Sequence, residues 1–470
     1  MKKLNRKATA ILFGMFFLLS ASFVFSTAVG ELDTQQAVDL KIIVTDQQKP
    51  GVDAVIDDFV AANDDVSSVE VIASGTRADD QLTYLTTQMG AQSDEFDVIG
   101  LDTVWPAQFA ANNWIVDMTN LLEDGELDDY VDAMVDSCTY NGKVWAYPYF
   151  MNIGSLYYRK DLLDAQGYTS ESDFDTWAEL KTAANDVLEA SSNDDLVGYV
   201  AQFDAYEGGT VNMIEWLGSF GATNIIDAQG NVDLSSTAAQ EALTFLKGSI
   251  APRYTGVLDT EYFIARDALV SDEGSSVGKF TAGNAVFMRQ WTFGYPSSED
   301  AGLDFGVMPL PTKDGSSGQR SCCVGGAVLA IPRFSNNQEQ ALKLIRFLGD
   351  EKAQKAELEE VGNFPALETV YDDFTGDLAW AKELVPSFAK SIARPVHPKY
   401  AQMSTVLSGT FNDIISCELE VEAGLEQMES DANSAIGGGA VIPGFSVFYL
   451  LVAGTSMIAV VAVFAKKKFE

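Results

Sequence analysis

The sequence is poor in positive charge. Its 470 residues include 30 lysines and arginines against 68 aspartates and glutamates, which gives a formal net charge of −38. Part of the basic minority sits at the two ends of the chain, so the intervening body is more acidic still. An acidic surface of this kind repels polyanions. We therefore expect no nucleic-acid partner.

Metal-ligating residues are also scarce. His397 is the only histidine, and the four cysteines never occur as Cys-x-x-Cys, so no metal site is predicted. Cys138, Cys322, Cys323 and Cys417 allow three disulfide pairings in an oxidising space, and the sequence does not select among them. A bond between the neighbours Cys322 and Cys323 would be strained, because their Cα atoms lie only ~3.8 Å apart.

Motifs for catalysis and cofactor binding are nearly absent. The sequence has no His-Glu-x-x-His, no Walker loop and no dinucleotide glycine motif between a strand and a helix, so no cofactor is predicted. Residues 274–278 fit the Gly-x-Ser-x-Gly elbow of serine hydrolases, with His397 downstream as that order requires. That elbow follows a buried strand, whereas residues 270–273 read Val-Ser-Asp-Glu. We therefore treat the match as accidental and predict a protein that is not an enzyme.

Both termini are hydrophobic, and they differ in kind. Residues 1–30 combine a basic start, an apolar run and small residues, which predicts a secretory signal peptide; an uncleaved anchor is the alternative. Residues 445–465 are uncharged and long enough to cross a bilayer, and 437–444 form a linker. The basic tail, 466–470, places the C-terminus in the cytoplasm. The body is therefore predicted at the cell surface, anchored to the outer face of the membrane.

Strands and helices alternate in the first part of the body. Strands are predicted at residues 40–44, 69–73 and 96–101, with amphipathic helices between them. This alternation is typical of an α/β fold with a mostly parallel sheet, which binds ligands beyond the carboxyl ends of its strands. Four candidate ligand contacts lie at or just past such ends: Gln48, Arg77, Asp102 and Trp105.

Structural alternatives stay open for two of these residues. Trp105 also suits a packing position at the start of a helix, and Arg77 also suits an ion pair with Asp79 or Asp80.

An aromatic segment at residues 141–168 predicts two strands with Pro148 interrupting the first, followed by a helix that ends near Gly167. Tyr149 and Asn152 would offer a flat apolar face beside an amide, which suits a sugar ring. An aromatic-rich core hairpin is the alternative.

Several segments, in order, resemble a known family. They include Gly142-Lys-Val-Trp-Ala-Tyr-Pro with Tyr157-Tyr-Arg-Lys-Asp-Leu-Leu, Asp102-Thr-Val-Trp, Phe174-Asp-Thr-Trp-Ala-Glu-Leu and the segment from Gly278 to Phe293. Together they make about residues 39–430 similar to extracellular solute-binding protein family 1, the maltose- and trehalose-type sugar-binding proteins of ABC importers.

The resemblance implies a fold of the periplasmic-binding-protein type II, with two lobes and a hinge. Lobe 1 is then expected at 31–150 and 308–347, and lobe 2 at 151–307 and 348–436. The chain would cross between lobes near 149–152 and 306–308, with a third link near Leu348.

The resemblance also implies ligand-binding roles. In such proteins a tryptophan at the position of Trp291 stacks on a sugar ring, and Phe293 would line the same pocket. Arg394 would bond ligand hydroxyls, with a structural salt bridge as its alternative, and Tyr400 would stack. Gly326 lies in a Gly-Gly segment that often continues with tryptophan, whereas this chain has Ala327. A standard disaccharide ligand is therefore in doubt.

The predicted function is capture of a neutral sugar or oligosaccharide between two closing lobes. The ligand would pass to the permease subunits of an ABC importer driven by a separate ATPase. Residues 443–445, Pro-Gly-Phe, resemble an archaeal C-terminal sorting signal, although a retained membrane helix is favoured. A cell-surface glycoside hydrolase is the enzymatic alternative, because so acidic a chain always supplies carboxylate pairs. A ligand-binding sensor or adhesin ectodomain is the other.

Overall fold

The structure is a computed structural model that describes residues 37–227, 230–251, 262–315 and 321–437. The strands are β1 (Val38–Val44), β2 (Val66–Ala73), β3 (Val98–Asp102), β4 (Thr139–Tyr140), β5 (Lys143–Val144), β6 (Tyr147–Ile153), β7 (Ser155–Arg159), β8 (Val197–Val200), β9 (Ala285–Gln290), β10 (Phe305–Met308), β11 (Cys322–Ala330), β12 (Phe364–Pro365) and β13 (Ser391–Ile392). The α-helices are α1 (Lys49–Asp53), α2 (Ile56–Ala62), α3 (Ala78–Gly90), α4 (Pro106–Ala111), α5 (Asp132–Ser137), α6 (Lys160–Ala165), α7 (Trp177–Ala190), α8 (Glu207–Ser219), α9 (Thr237–Lys247), α10 (Glu273–Thr281), α11 (Gly294–Asp300), α12 (Gln338–Gly349), α13 (Glu351–Val361), α14 (Ala381–Phe388), α15 (Tyr400–Ile415) and α16 (Val421–Ile436).

Two mixed sheets organise the chain. The first sheet has the strand order β12-β6-β11-β3-β1-β2, and β13 also pairs with β11. Its β1, β2 and β3 run parallel to one another, as the alternation of strands and helices predicts. The second sheet has the order β10-β7-β9-β8. The carboxyl ends of the parallel strands β1 and β3 carry Thr45 and Asp102 to one edge of the first sheet.

The first passage between the sheets is made at a single glycine. Gly154 separates β6 of the first sheet from β7 of the second. A Cβ at this position would lie 2.0 Å from Glu215 Oε1 and 2.5 Å from Arg289 Nη2. Only glycine therefore lets the backbone pass this close to the two charged side chains.

The prediction that Pro148 interrupts its strand is wrong. Pro148 lies inside β6, which runs antiparallel to β11. Phe150 pairs with Ala327 and Pro148 pairs with Val328, so Tyr149 is an extra residue on the β6 side. A bulge of this kind accommodates a residue that lacks an N–H and turns the neighbouring side chain in a new direction.

The segment after Leu348 begins against the first sheet, not the second. Helix α13 packs on α1, and β12 pairs with β6 through Phe364 and Met151. Helix α14 then contacts β10 of the second sheet, and α15 contacts α8. Residues 351–365 therefore stay with the first sheet, and β13 later pairs with β11 of that sheet again, so the contacts show no passage to the second sheet at Leu348.

The predicted signal peptide and the predicted membrane span at 445–465 lie outside the described residues. Among the helices that the structure does describe, none has both the length and the hydrophobicity of a bilayer-crossing segment. All four cysteines are free thiols: Cys138, Cys322 and Cys323 are buried, and Cys417 is exposed. None of the three disulfide pairings left open by the sequence is formed.

Candidate ligand-binding site

A cavity of about 120 Å³ is lined by residues from both sheets. Its walls come from the loops after β1, β2 and β3, from β6 and β11, and from the starts of α8 and α10. The lining residues are Thr45, Gln47, Gln48, Thr76, Ala78, Gln81, Asp102, Trp105, Phe150, Asn152, Glu207, Gly208, Val211, Glu273, Trp291, Phe293, Gly325, Gly326, Asn363 and Arg394. The structure thus gathers eight of the predicted contacts at one cavity: Gln48, Asp102, Trp105, Asn152, Trp291, Phe293, Gly326 and Arg394.

A buried guanidinium joins the two halves of the cavity wall. Arg394 donates to Asp102 at 2.5 and 3.0 Å and to Glu207 Oε1 at 2.7 Å. Its side chain is only 2 % exposed. Burial opposes the charge, yet Asp102 and Glu207 together raise the pKa of Arg394 well above its ordinary value. The salt bridge considered as the alternative for Arg394 is therefore present, and through it Arg394 also fixes Asp102.

Glu207 was not identified from the sequence. It begins α8 and accepts hydrogen bonds from Tyr400 at 2.7 Å and from Ser404 at 2.5 Å as well as from Arg394. Burial raises the pKa of Glu207 to about 7, and Arg394 opposes that shift. Nothing in the local pattern around Glu207 marks it, because its partners come from a helix almost two hundred residues later in the chain.

Trp291 stands just past the carboxyl end of β9 and lines the cavity. The guanidinium carbon of Arg289 lies 4.1 Å from the centroid of the indole ring, so one face of the ring is occupied. Gly325 packs against the ring edge, and a Cβ there would lie 3.0 Å from Cη2 of Trp291. The indole ring is therefore held by contacts at one face and at one edge.

The amide side chains of Asn152 and Gln48 line the cavity and are held by hydrogen bonds within the protein. Asn152 accepts a short hydrogen bond from the hydroxyl of Thr292 through Oδ1. Gln48 accepts one from the backbone N–H of Thr45 through Oε1 at 3.1 Å. In both residues the side-chain oxygen accepts one hydrogen bond from the protein.

Arg77 lies at the rim instead of in the cavity wall. It donates to Asp204 at 2.7 Å and lies 4.3 Å above the ring of Tyr206. The partner is therefore neither Asp79 nor Asp80. Asp79 instead accepts from the backbone N–H of Glu207 at 3.1 Å. These contacts join the loop before α3, next to the first sheet, to the segment before α8, next to the second.

Besides Arg77, two further predicted contacts do not line the cavity. Tyr149 is the bulged residue of β6, and its hydroxyl donates to Glu357 Oε2 at 2.8 Å inside the core. Tyr400 is also buried and is bonded to Glu207. The expected stacking role of Tyr400 and the ligand contact of Tyr149 are therefore corrected, because both rings point into the protein interior.

Asn363 is a second residue that sequence reasoning missed. It lines the cavity and donates through Nδ2 to Glu357 Oε1 at 2.6 Å. Its Oδ1 is buried and has no hydrogen-bond partner among the described residues. The preceding Gly362, with φ of 82°, caps α13 and turns the chain toward the cavity.

A buried ion pair supports the wall from behind. Glu215 and Arg289 are bonded at 2.6 and 2.7 Å, with side chains 2 % and 1 % exposed. Glu215 also accepts from the backbone N–H of Cys323 in β11 at 2.9 Å. The pair therefore connects α8, β9 and β11 at the point where the chain passes between the sheets.

The hydrolase-like motif has no catalytic setting. Residues 274–278 lie within α10, not between a strand and a helix. The match is accidental, as the polar sequence before it indicates.

Comparison with known proteins agrees with this architecture. The model of a family described as bacterial extracellular solute-binding protein matches residues 45–355. A probable ABC transporter-binding protein of Deinococcus radiodurans is 30% identical over 363 residues, covering 74% of this chain and 82% of that protein. A galactooligosaccharide-binding protein of Bacillus subtilis is 23% identical over 249 residues, covering 52% of this chain and 54% of that one.

A solved structure is similar over most of the described fold. Maltose-bound MalE3 of T. maritima superposes with a TM-score of 0.75 at 27% identity. The match covers 85% of this chain and 100% of that one.

Proposed function

This chain belongs to the bacterial extracellular solute-binding protein family and has the α/β type II fold of periplasmic binding proteins, and from this premise we propose that it captures a neutral sugar for an ABC importer. Its relatives are substrate-binding proteins and not enzymes, and so is this chain. Import through a permease with a separate ATPase is the role that we propose for the bound ligand.

The cavity between the sheets carries this proposal. Trp291 and Phe293 give it apolar aromatic surface, while Gln48, Asn152 and Asp102 give it amides and a carboxylate. A pyranose needs both kinds of group, because its C–H face is apolar and its hydroxyls require hydrogen-bonding partners. We propose these residues as direct contacts, with Trp105 and Gly326 completing the wall.

The charges at the cavity favour a neutral ligand. Asp102, Glu207 and Glu273 line it with Arg394 as the accompanying cation. Arg394 is already shared between two carboxylates. An anionic ligand would meet an excess of negative charge, whereas hydroxyls can donate to carboxylate oxygens.

We further propose that the two sheets belong to lobes that close on the ligand about a hinge. Residues 31–150 and 308–347 would form most of the first lobe, and 151–307 with the later helices most of the second. Helix α13 and β12 are assigned to the first lobe, because they pack on α1 and β6. The contacts of Arg77 and Arg394 across the sheets suit the closed arrangement.

Export and surface anchoring complete the proposal. The basic and apolar residues 1–30 support secretion, and the apolar residues 445–465 followed by three lysines support attachment to the outer face of the membrane. Fractionation of cells that express the full chain, beside a variant ending at residue 437, tests the anchor. Equal release of both proteins would contradict it.

A binding experiment separates this function from hydrolysis. The full-length protein is titrated by calorimetry with maltose, D-glucose, D-tagatose and D-mannitol, and the sugars are then examined by mass spectrometry after overnight incubation. We expect saturable binding of at least one of the four and recovery of every sugar intact. Binding of none of them would overturn the proposed ligand class, and release of glucose from maltose would point to the hydrolase instead.

A further inference from the structure

We propose that Glu273 is a specificity-determining residue whose carboxylate accepts a hydrogen bond from a ligand hydroxyl. The proposal rests on the sugar-binding function and deepens it, because it names the group that selects for hydrogen-bond donors on the ligand.

The first observation is the position of the carboxylate. Glu273 begins α10, lines the cavity and keeps accessible surface. Oε2 accepts from the hydroxyl of Tyr206 at 2.5 Å, whereas Oε1 has one long contact, at 3.5 Å, with Nε1 of Trp291. An ionised carboxylate can accept about four hydrogen bonds. Glu273 therefore keeps acceptor capacity for a ligand at the edge of the indole ring.

The second observation is the charge balance of the cavity wall. Three carboxylates line the cavity, and two of them, Asp102 and Glu207, share the guanidinium of Arg394. Glu273 is the third, and no lysine or arginine forms an ion pair with it in the part of the chain that the structure describes. Both donors to its carboxylate are neutral groups. The negative charge of Glu273 is therefore left for a donor from the ligand.

This charge is costly in the free protein. Burial raises the pKa of Glu273, and the hydrogen bond from Tyr206 opposes the shift. Arg289 also favours the charged form of Glu273, but it is already bonded through two nitrogens to Glu215. A hydroxyl that donates to the carboxylate offsets part of the cost of removing it from water, because a hydrogen bond to an ionised acceptor is stronger than one between neutral groups.

The third observation concerns what holds the carboxylate in place. Tyr206 is buried, and its hydroxyl lies beside Gly208, where a Cβ would be 2.2 Å from that oxygen. The guanidinium of Arg77, from the loop next to the first sheet, covers the ring of Tyr206 at 4.3 Å. The tyrosine that fixes Glu273 thus also takes part in the contact between segments from the two sheets. A ligand held between them meets the carboxylate in a defined position.

These features predict which ligands the carboxylate selects. A ligand hydroxyl can donate to it. A ligand that presents an anion or only an acceptor at this point is rejected, because two acceptors would then face one another.

The test is calorimetric titration of full-length variants at pH 8 with maltose, D-glucose, D-tagatose and D-mannitol. Glu273→Ala should bind the best-bound compound about tenfold to a hundredfold more weakly, because a charged acceptor is lost. Glu273→Gln keeps a neutral acceptor and should bind about threefold to tenfold more weakly. It also keeps the size of the side chain and serves if Glu273→Ala does not fold.

Glu171→Gln is the matched control. Glu171 also accepts from a tyrosine hydroxyl, that of Tyr158 at 3.2 Å, but it is exposed and does not line the cavity. The affinity of this variant should match the wild type.

Urea unfolding without sugar separates a ligand contact from a structural role. Glu273→Gln removes a charge that has no cationic partner among the described residues. Its urea midpoint at pH 8 should therefore equal or exceed that of the wild type while its affinity falls. Weaker binding together with a lower midpoint would assign Glu273 to the packing of the wall and overturn the proposal.

The binding results separate this assignment from the function on which it rests. Wild-type affinity in either Glu273 variant would overturn this assignment alone. No binding of any of the four compounds by the wild type would overturn the proposed function and this assignment with it.

Discussion

The residues at the cavity form two groups. The first group lines the cavity, and the second group packs behind the lining residues and fixes their positions. Trp291 belongs to the first group, and Arg289 and Gly325 hold its ring from one face and one edge. Tyr149 belongs to the second group, because it reaches the cavity only through Glu357 and Asn363. The distinction predicts which substitutions change affinity directly and which change stability first.

Replacement of Trp291 by alanine tests the aromatic wall. Loss of the stacking surface should weaken binding of a sugar by about 1–3 kcal/mol, which is roughly tenfold to a hundredfold in Kd. Calorimetry with the best-bound sugar measures the effect. Trp380→Ala is the control, because Trp380 stacks on Tyr295 away from the cavity and its loss should leave Kd unchanged. Equal affinities of the Trp291 variant and the wild type would show that the ring of Trp291 does not contact the sugar.

Glu357 should make stability depend on pH. Burial raises the pKa of Glu357 to about 7, above its value in the unfolded chain, while the hydrogen bonds from Asn363 and Tyr149 oppose the shift. The folded state therefore holds this proton more tightly than the unfolded state. Its contribution to the free energy of unfolding falls as pH rises from about 4.5 to about 7 and is constant above that range.

Urea unfolding at several pH values measures this dependence. Glu357→Gln cannot ionise, so the difference between wild type and variant should change by on the order of 2 kcal/mol between pH 4.5 and pH 8. Glu360→Gln, at an exposed position of the same helix, should have the same free energy of unfolding as the wild type at every pH. A constant difference between the Glu357 variant and the wild type would show that the acid does not titrate in this range.

At the scale of elements, the passage from β6 to β7 is a tightly constrained part of the fold. Gly154→Ala would drive a methyl group into the Glu215–Arg289 ion pair, at 2.0 and 2.5 Å. Disturbing a buried, bidentate pair should destabilise the protein by about 3 kcal/mol or more. Gly409→Ala inside α15 meets nothing within 4 Å and should stabilise it by about 0.5–1 kcal/mol. Urea midpoints compare the two, and similar midpoints would contradict the tight passage.

The elements were predictable where hydrophobic periodicity marks them. The predicted strand at 40–44 lies within β1, and the predicted strand at 69–73 lies within β2. Between the first two predicted strands the structure has two short helices, α1 and α2, separated at Ala54 and Val55. Local patterns specify burial, but not a change in backbone angle within a buried stripe.

The hydrogen-bonding partners of the polar residues in the site could not be predicted from the sequence. Tyr149 and Glu357 are 208 residues apart, and Arg394 and Asp102 are 292 apart. Eight of the twenty lining residues were predicted, Trp105 from its place past the end of a strand and Trp291 and Phe293 from the family resemblance. A buried polar residue is recognised only by what tertiary folding brings against it, so the acids Glu207 and Glu357 and the amide Asn363 were missed.

At the scale of the whole molecule, the proposed closure depends on contacts between segments from the two sheets. The ion pair of Arg77 and Asp204 is about 30% exposed, so solvent screens it and its contribution is small. Arg77→Ala should raise Kd by about twofold to fivefold, because the closed state alone contains the pair. Lys143→Ala removes a surface pair with Asp117 elsewhere in the first lobe and should leave Kd unchanged.

Small-angle scattering measures closure directly. The radius of gyration of the wild type should decrease when a bound sugar saturates the protein. The Arg77 variant should start from a radius at least as large and should compact at saturation too. Dimensions that do not respond to saturating sugar would contradict the hinge.

The four free thiols allow motions of this protein to be followed by their rates of chemical labelling. Cys417 is exposed and will take a maleimide label at once, whereas burial protects Cys138, Cys322 and Cys323 and raises the pKa of Cys322 to about 12. Cys322 and Cys323 lie at the start of β11 in the first sheet, where the backbone N–H of Cys323 donates to Glu215 of α8. If the lobes move as rigid bodies, both thiols stay buried and do not react with maleimide. If β11 separates from its neighbouring strands, both thiols become exposed and react. The rate of labelling at this pair, counted by mass spectrometry against Cys417, therefore distinguishes opening from unravelling without any engineered reporter.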